Sequence, residues 1–468
     1  MRLIPQPEKI EIKNGTTLLK KVTKREICSS FSSDEAYELL IEKDEITARA
    51  SSEKGLFYAE KTLKQLSFLY DEIPCVKITD KPRFSHRGFM IDCARHMFSL
   101  DELKKMISVA ADFKFNKFHW HLSDDQGFRI ELESFPEVTE KGSVRSCDSF
   151  INCKSNEKYS GYYKKDEIRE IVSFCKELFI DVIPELDMPG HQSALLHVHP
   201  EFTCTGENVE VKTRQGIFKD IICAGNTDAE KCLKSILDEI TELFPYDTVH
   251  IGGDEVPKAN WKICEKCQKI MAENGLSDED ELQCLFINKM ADYLKNKGKK
   301  CIVWNDCLKG RNLSENLLIQ HWQKGPERTS NAANKGQNVI LSPFTPFYVD
   351  YPHGMHTLKA GYKFEPDSFK GLTDKGRSSI LGVESPIWTE HINNNDRLEF
   401  MCFPRWFAVS ECGWTKKENK NYKEFYKTLK KLSVCYKEKG LNIAPESEWN
   451  PNAAKRLYET VKFFIPKK

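Results

Sequence analysis

Eight short runs of apolar and β-branched residues limit the possible folds of this chain more than any other feature. The runs are Gly88–Asp92, Lys117–Leu122, Asp181–Glu185, Thr248–Ile251, Cys301–Trp304, Leu317–His321, Asn338–Leu341 and Ser379–Val383. Helical patterns separate most of them; the clearest opens at Ser99, with Glu102 three residues later as a capping pair. Eight strands that alternate with helices predict an α/β fold, a (β/α)8 TIM barrel.

The first 80 residues have a different pattern. Short alternating runs such as Tyr37–Ile41 and Ile46–Ala50 accompany a single helical pattern, Gly55–Leu69. Pro74 and Pro82 then mark a turn before the barrel pattern begins. We therefore predict a small N-terminal α+β domain over residues 1–80, followed by a catalytic barrel with a C-terminal helical segment over residues 81–468.

Composition excludes several classes of partner. The 70 basic side chains balance the 70 acidic ones, so no net charge favours nucleic acid or an anionic membrane. The first ten residues hold no apolar stretch of signal-peptide length, and the 17 cysteines are scattered rather than grouped in a small disulfide framework. We expect a cytoplasmic protein with reduced thiols and leave its oligomeric state open.

Polar and aromatic residues follow nearly every predicted strand. In a TIM barrel, the residues just past the C-terminal ends of the strands meet on one face, where catalytic groups lie. Carboxylates there can accept hydrogen bonds from hydroxyl groups, and aromatic rings can cover the apolar face of a sugar. The composition at these positions is therefore typical of a sugar-binding site. The residues are Asp92, Arg95, Asp124, Asp125, Glu185, Asp187, His191, Asp254, Glu255, Trp304, Asp306, Trp322, Tyr348, Asp350, Trp388 and Glu390.

Four of these segments carry long motifs. The segments Arg87–His96, His119–Arg129, Pro184–His191 and His250–Glu255 resemble, in order, the motifs of the β-N-acetylhexosaminidases of glycoside hydrolase family 20. With the later Trp and Tyr positions, the resemblance covers roughly Arg87 to Glu390. It implies a retaining mechanism in which the substrate's own 2-acetamido group is the nucleophile.

The resemblance assigns three catalytic roles. Glu255 is expected to protonate the glycosidic oxygen and then to activate water. Asp254 is expected to orient the acetamido N–H and to stabilise its developing positive charge, and Tyr348 to donate a hydrogen bond to the acetamido oxygen. No cofactor is implied.

The resemblance also implies a set of substrate-binding residues. Arg95, Asp350 and Glu390 would hold the ring hydroxyls, and three tryptophans would wall the ring and the acetamido methyl. An aspartate and a histidine match positions near the acid that support its charge and orientation. The complete set is Arg95, Asp124, His191, Trp304, Trp322, Asp350, Trp388 and Glu390.

The neighbouring acids Asp254 and Glu255 need a special backbone to act together. Successive side chains of a strand point to opposite faces, which would separate them. Gly252 and Gly253 permit backbone angles closed to other residues, so both acids could reach one substrate. Two nearby carboxylates also repel when both are ionised, which raises the pKa of one of them.

These observations predict an exo-acting retaining β-N-acetylhexosaminidase that hydrolyses terminal non-reducing β-linked GlcNAc, or GalNAc. The alternatives are a lacto-N-biosidase-like or modified-sugar-specific relative and a non-catalytic glycan-binding protein. The partner expected for the main prediction is an oligosaccharide with a terminal β-linked N-acetylhexosamine.

Some assignments stay open at the level of sequence. Arg87 competes with Arg95 for the sugar-binding role, and Trp322 could belong to the barrel core. At least one of His119 and His121 is expected to be a core residue, so both are left out of the site. We predict no metal, because the pair Cys264-x-x-Cys267 lacks two further ligands at matching spacing.

Overall fold

The computed structural model describes residues 1–146, 157–323 and 325–464. A five-stranded sheet opens the chain; in spatial order its strands are Lys9–Thr17, Ile73–Asp80, Tyr37–Ile41, Ile46–Ala50 and Lys24–Ile27. The last pair is parallel and the others antiparallel. The helix Glu53–Leu69 packs its buried face, which includes Leu63 and Leu66, against this sheet.

The barrel is closed by parallel pairing all the way round. Its first strand pairs with both the second and the eighth, and each intermediate strand pairs with its neighbours. All eight predicted strands are present, and the predicted fold class is confirmed. The first to eighth barrel strands are His86–Asp92, Lys117–Asp124, Asp181–Leu186, Thr248–His250, Lys300–Trp304, Leu318–His321, Val339–Leu341 and Ile380–Ile387.

Helices surround the barrel strands and follow them to the C-terminus. Ser99 caps the helix after the first strand by accepting from the backbone N–H of Glu102, as the sequence predicts. The stretch 345–377 contains several short helices, since its prolines and glycines interrupt rather than prevent helical turns. No helix of the described ranges is long and apolar enough to cross a membrane.

The described ranges contain α-helices, short 3-10 helices and two-residue strands in addition to the sheet and barrel strands. The α-helices are Glu53–Leu69, Leu100–Asp112, Pro136–Gly142, Lys165–Glu177, Ser193–Val198, Thr227–Leu243, Ala259–Ile263, Glu265–Glu273, Glu279–Asn296, Glu327–Lys335, Phe344–Phe347, Leu358–Lys363, Asp374–Ser378, Asn395–Cys402, Arg405–Trp414, Tyr422–Glu438, Glu446–Trp449 and Ala453–Phe464. Short 3-10 helices lie at Pro200–Phe202, Asn305–Lys309, Pro366–Ser368 and Lys417–Asn419, and two-residue strands at Gly127–Phe128, Arg145–Ser146 and Lys158–Tyr159.

Inward-facing side chains fill the barrel in layers. Ile183, Ile302 and Ile340, from the third, fifth and seventh strands, form a separate apolar cluster. The even strands contribute a polar layer, His119, His250, Gln320 and Glu384, all buried. Side chains of one layer come from alternate strands, as expected for this barrel. Within this polar layer His119 contacts Glu384, and His250 contacts Glu185 near the end of the third strand.

Buried ion pairs join the N-terminal domain to the barrel. The Arg87 guanidinium, at the start of the first barrel strand, lies 2.7 Å from Glu35 and is fully buried. Lys114 binds Asp80 at 2.9 Å, and the indole N–H of Trp414 donates to the same carboxylate at 3.0 Å. Arg87 therefore has a structural partner in the N-terminal domain, which favours Arg95 over Arg87 for the sugar-binding role.

Glu35→Gln should destabilise the protein by about 3–5 kcal/mol, because it leaves the Arg87 charge buried without its partner. Burial favours the protonated acid, but the charge and hydrogen bonds of Arg87 lower the pKa of Glu35 to about 2 from its usual 4.5. The stabilisation is therefore present above about pH 4.5 and is lost as the pH falls towards 2.

Urea denaturation measures this effect. Glu11→Gln, which removes the partner of the exposed Lys9, is the matched control and should leave the midpoint nearly unchanged. Equal midpoints for the two variants would show that the Arg87 pair does not hold the domains together.

Candidate active site

Two glycines turn the backbone sharply where the fourth barrel strand ends. Gly252 and Gly253 have φ of +64° and +93°, in the region that side chains other than glycine rarely adopt. Both are also closely packed: a Cβ on Gly252 would lie 1.7 Å from Asp187 Oδ1, and one on Gly253 would lie 2.4 Å from Cys307 Sγ. Asp187 Oδ1 also accepts the N–H of Gly253 at 3.0 Å. This turn therefore admits only glycine at both positions.

The turn brings the two acids to one side of the backbone. Glu255 has φ of +48°, a strained conformation for this residue type, and Asp254 is 8% exposed. An oxygen of each carboxylate and a nitrogen of His191 all lie within 4.8 Å of one another. Burial, with the nearby carboxylates of Asp306 and Glu255, raises the pKa of Asp254 to about 7.

His191 connects this pair to a second pair of acids. Its Nδ1 lies 3.2 Å from Asp124 and 3.1 Å from Asp125, and its Nε2 lies 3.8 Å from Asp254 and 3.7 Å from Glu255. Burial disfavours the imidazolium, but the Asp124 charge and the hydrogen bonds of the neighbouring carboxylates raise the pKa of His191 well above its usual value. A charged His191 stabilises negative charge on both acids.

Arg95 lies at the other end of the site. Its guanidinium binds Asp124 at 2.7 Å, reaches Glu390 at 3.9 Å and lies 5.0 Å from the ring centroid of Trp388. The carboxylate of Asp124 is 1% exposed and is taken up by Arg95, His121 and His191. Asp124 therefore positions Arg95 and His191, in keeping with the supporting role that the resemblance implies.

Three aromatic side chains line the site between these ends, and a fourth lies beneath them. Tyr348 lies 6.1 Å from Trp322 and 6.3 Å from Trp388, measured between ring centroids. Trp322 and Trp388 are partly exposed, so Trp322 is not a core residue. Trp304 is fully buried beneath Trp388, at 6.1 Å, and supports the wall rather than forming its surface. Burial and the Asp254 charge raise the pKa of Tyr348 well above its usual value, so its hydroxyl remains a donor.

Two buried acceptors face the site without a partner. Asp254 Oδ1 and Asp350 Oδ1 accept no hydrogen bond from any residue of the described ranges. Burial, with the charge of Glu390, raises the pKa of Asp350 well above its usual value. An unpaired buried acceptor costs about 1–3 kcal/mol, so both oxygens are suited to donors that a ligand supplies.

A polar network beneath the site contains residues that the sequence did not assign to it. Glu185 receives the Trp304 indole N–H at 2.8 Å and contacts His121, which in turn lies 3.0 Å from Asp124. Glu384 holds His119 at 2.8 Å, so both histidines left out of the site support it from below. In the sequence, His119 and His121 alternate with apolar residues on a strand of buried type, and this pattern could have indicated their supporting role.

Asp306 is a further supporting residue. It accepts the Trp322 indole N–H at 2.8 Å and the N–H of Glu255 at 3.4 Å, so it orients one wall and the acid together. Its place at the end of the fifth strand was visible in the sequence, but nothing there distinguished it from a solvated carboxylate.

Three groups of side chains in this region have the composition of a metal site: His119 with Glu185 and His250, Asp124 with Asp187 and His191, and His191 with Asp254 and Glu255. In each group a histidine already contacts a carboxylate, at 3.0 Å, 3.2 Å and 3.7 Å respectively. Pairing of imidazole with carboxylate accounts for these clusters.

Comparisons with known proteins agree with this geometry. A β-hexosaminidase of Porphyromonas gingivalis is 35% identical over 431 residues, covering 87% of the chain and 54% of that relative. One of Vibrio furnissii is 34% identical over 397 residues, covering 81% and 65%. The chain thus spans between about half and two thirds of the length of these two relatives.

A solved structure is similar over nearly the whole chain. The GH20 exo β-N-acetylglucosaminidase of Vibrio harveyi, in complex with N-acetylglucosamine, has a TM-score of 0.84 and 29% identity, covering 95% of this chain and 78% of that one. The family model described as "Glycosyl hydrolase family 20, domain 2" matches residues 28–81, and the model described as "Glycosyl hydrolase family 20, catalytic domain" matches residues 84–417. Because the second match spans most of the chain, the chain belongs to glycosyl hydrolase family 20.

Proposed function

We propose that the chain is an exo-acting, retaining β-N-acetylhexosaminidase that releases terminal β-linked GlcNAc by substrate-assisted catalysis. The observation that carries this proposal is the buried, unpaired Oδ1 of Asp254, beside Glu255 and near Tyr348. An acetamido N–H is a donor that suits this acceptor. The named β-hexosaminidase relatives and the neighbour with bound N-acetylglucosamine support the same substrate class.

The proposed mechanism retains the configuration at C1, because the acetamido group and then water attack C1 in two successive displacements. One oxygen of Asp254 and one of Glu255 lie within 4.8 Å of each other, so both acids can act on one sugar. In the proposed mechanism the acetamido carbonyl oxygen attacks C1 while Glu255 protonates the departing oxygen.

The remaining steps follow from the same geometry. Asp254 accepts the acetamido N–H and stabilises the positive charge of the oxazolinium intermediate, while Tyr348 donates to the acetamido oxygen. Glu255, now ionised, takes a proton from the water that attacks C1. These electrostatic contacts act in a largely buried site, where they are stronger than in water.

Exo-action is supported by the charged end of the site. Arg95 is tied to Asp124 and Asp92 and lies against Trp388. We infer that these side chains close one end of the site. Glu390 and the unpaired oxygen of Asp350 would meet the outer hydroxyls. Closure at this end would leave room for a terminal sugar only.

A cytoplasmic setting and a role in carbohydrate metabolism complete the proposal. The cysteines of the described ranges are free thiols, most of them buried. Free thiols are the usual state of cysteine in a reducing compartment. Thiol alkylation in intact cells, followed by mass spectrometry, tests this: a reduced chain supports the setting, and disulfides contradict it.

Glu255→Gln should lower kcat/KM on GlcNAc-β-1,4-GlcNAc by about 10²–10⁴-fold, because a poor leaving group depends on the acid. The loss should be much smaller on 2,4-dinitrophenyl β-GlcNAc, whose leaving group departs without a proton. Glu273→Gln, on an exposed helix position, is the control and should behave as wild type. Equal losses on the two substrates would rule out the acid role.

Asp254→Asn should remove the acidic limb of the kcat/KM profile. Burial raises the pKa of Asp254 to about 7. Since the ionised form is required, wild-type activity should rise as the pH increases through about 7. The profile of kcat/KM reports the free enzyme, to which this value applies. An unchanged acidic limb in the variant would assign it to another group.

A further inference from the structure

Four cysteines from two separate segments meet beside the active site. Cys204 and Cys223 lie in the connection that follows the third barrel strand, whereas Cys264 and Cys267 flank the start of the helix Glu265–Glu273. All four sulfurs lie within 4.8 Å of one another. The sequence argument that the Cys264-x-x-Cys267 pair lacks two further ligands was therefore wrong, because the fold supplies them from 41 or more residues away.

The distances fit a tetrahedral metal site. Cys223 Sγ lies 3.5 Å from Cys267 Sγ and 3.7 Å from Cys264 Sγ, and Cys204 Sγ lies 3.8 Å from Cys267 Sγ. Sulfurs held about 2.3 Å from a central Zn²⁺ in tetrahedral geometry are separated by about 3.8 Å. A disulfide would bring two of them to about 2.05 Å instead.

The surroundings hold the four sulfurs in place. Cys223, Cys264 and Cys267 are buried in an apolar cluster that includes Val256 and Trp261.

The two segments also approach closely through their backbones. A Cβ on Gly225 would lie 2.5 Å from the backbone of Lys266, so only glycine allows this approach. The Trp261 indole N–H donates to the carbonyl of Ile222 at 3.0 Å, next to Cys223. The ligand positions are thus fixed by contacts that do not involve the sulfurs.

We propose that Cys204, Cys223, Cys264 and Cys267 bind one structural Zn²⁺ ion. Each thiol gives up its proton on binding, and the four thiolates leave no open coordination position, which makes the site structural rather than catalytic. The ion joins the connection after the third strand to the segment after the fourth. Val256, which directly follows Glu255, packs in the same cluster, so the ion also steadies the strained backbone of that acid.

Metal analysis of the untagged protein, purified under reducing conditions without added metal, tests the proposal directly. Inductively coupled plasma mass spectrometry should find one zinc per chain. Zinc should be released when the thiols are titrated with p-chloromercuribenzoate. Protein with Co²⁺ in place of Zn²⁺ should show the thiolate-to-cobalt and d–d absorption bands of a tetrahedral four-sulfur site.

Paired variants locate the site. Cys264→Ala with Cys267→Ala should lose the zinc and the cobalt bands, whereas Cys232→Ala with Cys301→Ala, two buried cysteines elsewhere, should keep both. Removing zinc from the wild type by thiol titration should also increase proteolysis of the connection after the third strand several-fold.

Two results would overturn the proposal without depending on any variant. One is folded wild-type protein that holds less than a tenth of an equivalent of zinc and gives no cobalt bands after loading. The other is a disulfide between Cys204 and Cys223 in protein isolated with its thiols blocked. These readouts are independent of hydrolase activity, so they remain distinguishable from a failure of the proposed function.

Discussion

The contact between the Gly252–Gly253 turn and Asp187 is the constraint on which the site depends. A regular strand would send the side chains of Asp254 and Glu255 to opposite faces. Two positive φ angles in succession, held by the hydrogen bond from Gly253 N–H to Asp187, bring them together instead. Asp187 leaves no room for a side chain at Gly252. The geometry of Asp254 and Glu255 therefore depends on the contact between the Asp187 side chain and the glycine backbone.

Charge in the site is balanced by groups that a sugar would not touch. The positively charged His191 lies next to Asp254 and Glu255. Its Nδ1, on the opposite side of the ring, contacts Asp124 and Asp125. Asp124 also holds Arg95, so one buried carboxylate orients groups at both ends of the site. Because ionic contacts are strong in such a buried setting, a change at Asp124 should alter both acid chemistry and sugar binding.

The barrel and the positions of most candidate site residues could be predicted from the sequence, because both depend on local patterns. Strand-like runs and the positions just after them identified Arg95, Tyr348 and Trp388, which the structure brings to one face. The edge strand Lys24–Ile27 of the N-terminal sheet was missed, since its mostly exposed residues carry no alternating apolar pattern. Contacts between distant segments were also beyond prediction. The supporting role of Asp306 and the meeting of four cysteines both require the fold, although five cysteines between residues 204 and 267, four of them in the cluster, were a usable signal.

The central claim is that the substrate's acetamido group is the nucleophile, while the protein positions it, stabilises its developing charge and transfers the protons. A series of aryl β-GlcNAc substrates with zero, one, two or three fluorines on the acetamido methyl tests this most directly. Each fluorine makes the carbonyl oxygen less nucleophilic while changing the sugar little. The account predicts that kcat falls steadily and steeply along the series. A kcat that does not vary with fluorine number would contradict it and would make a protein carboxylate the nucleophile.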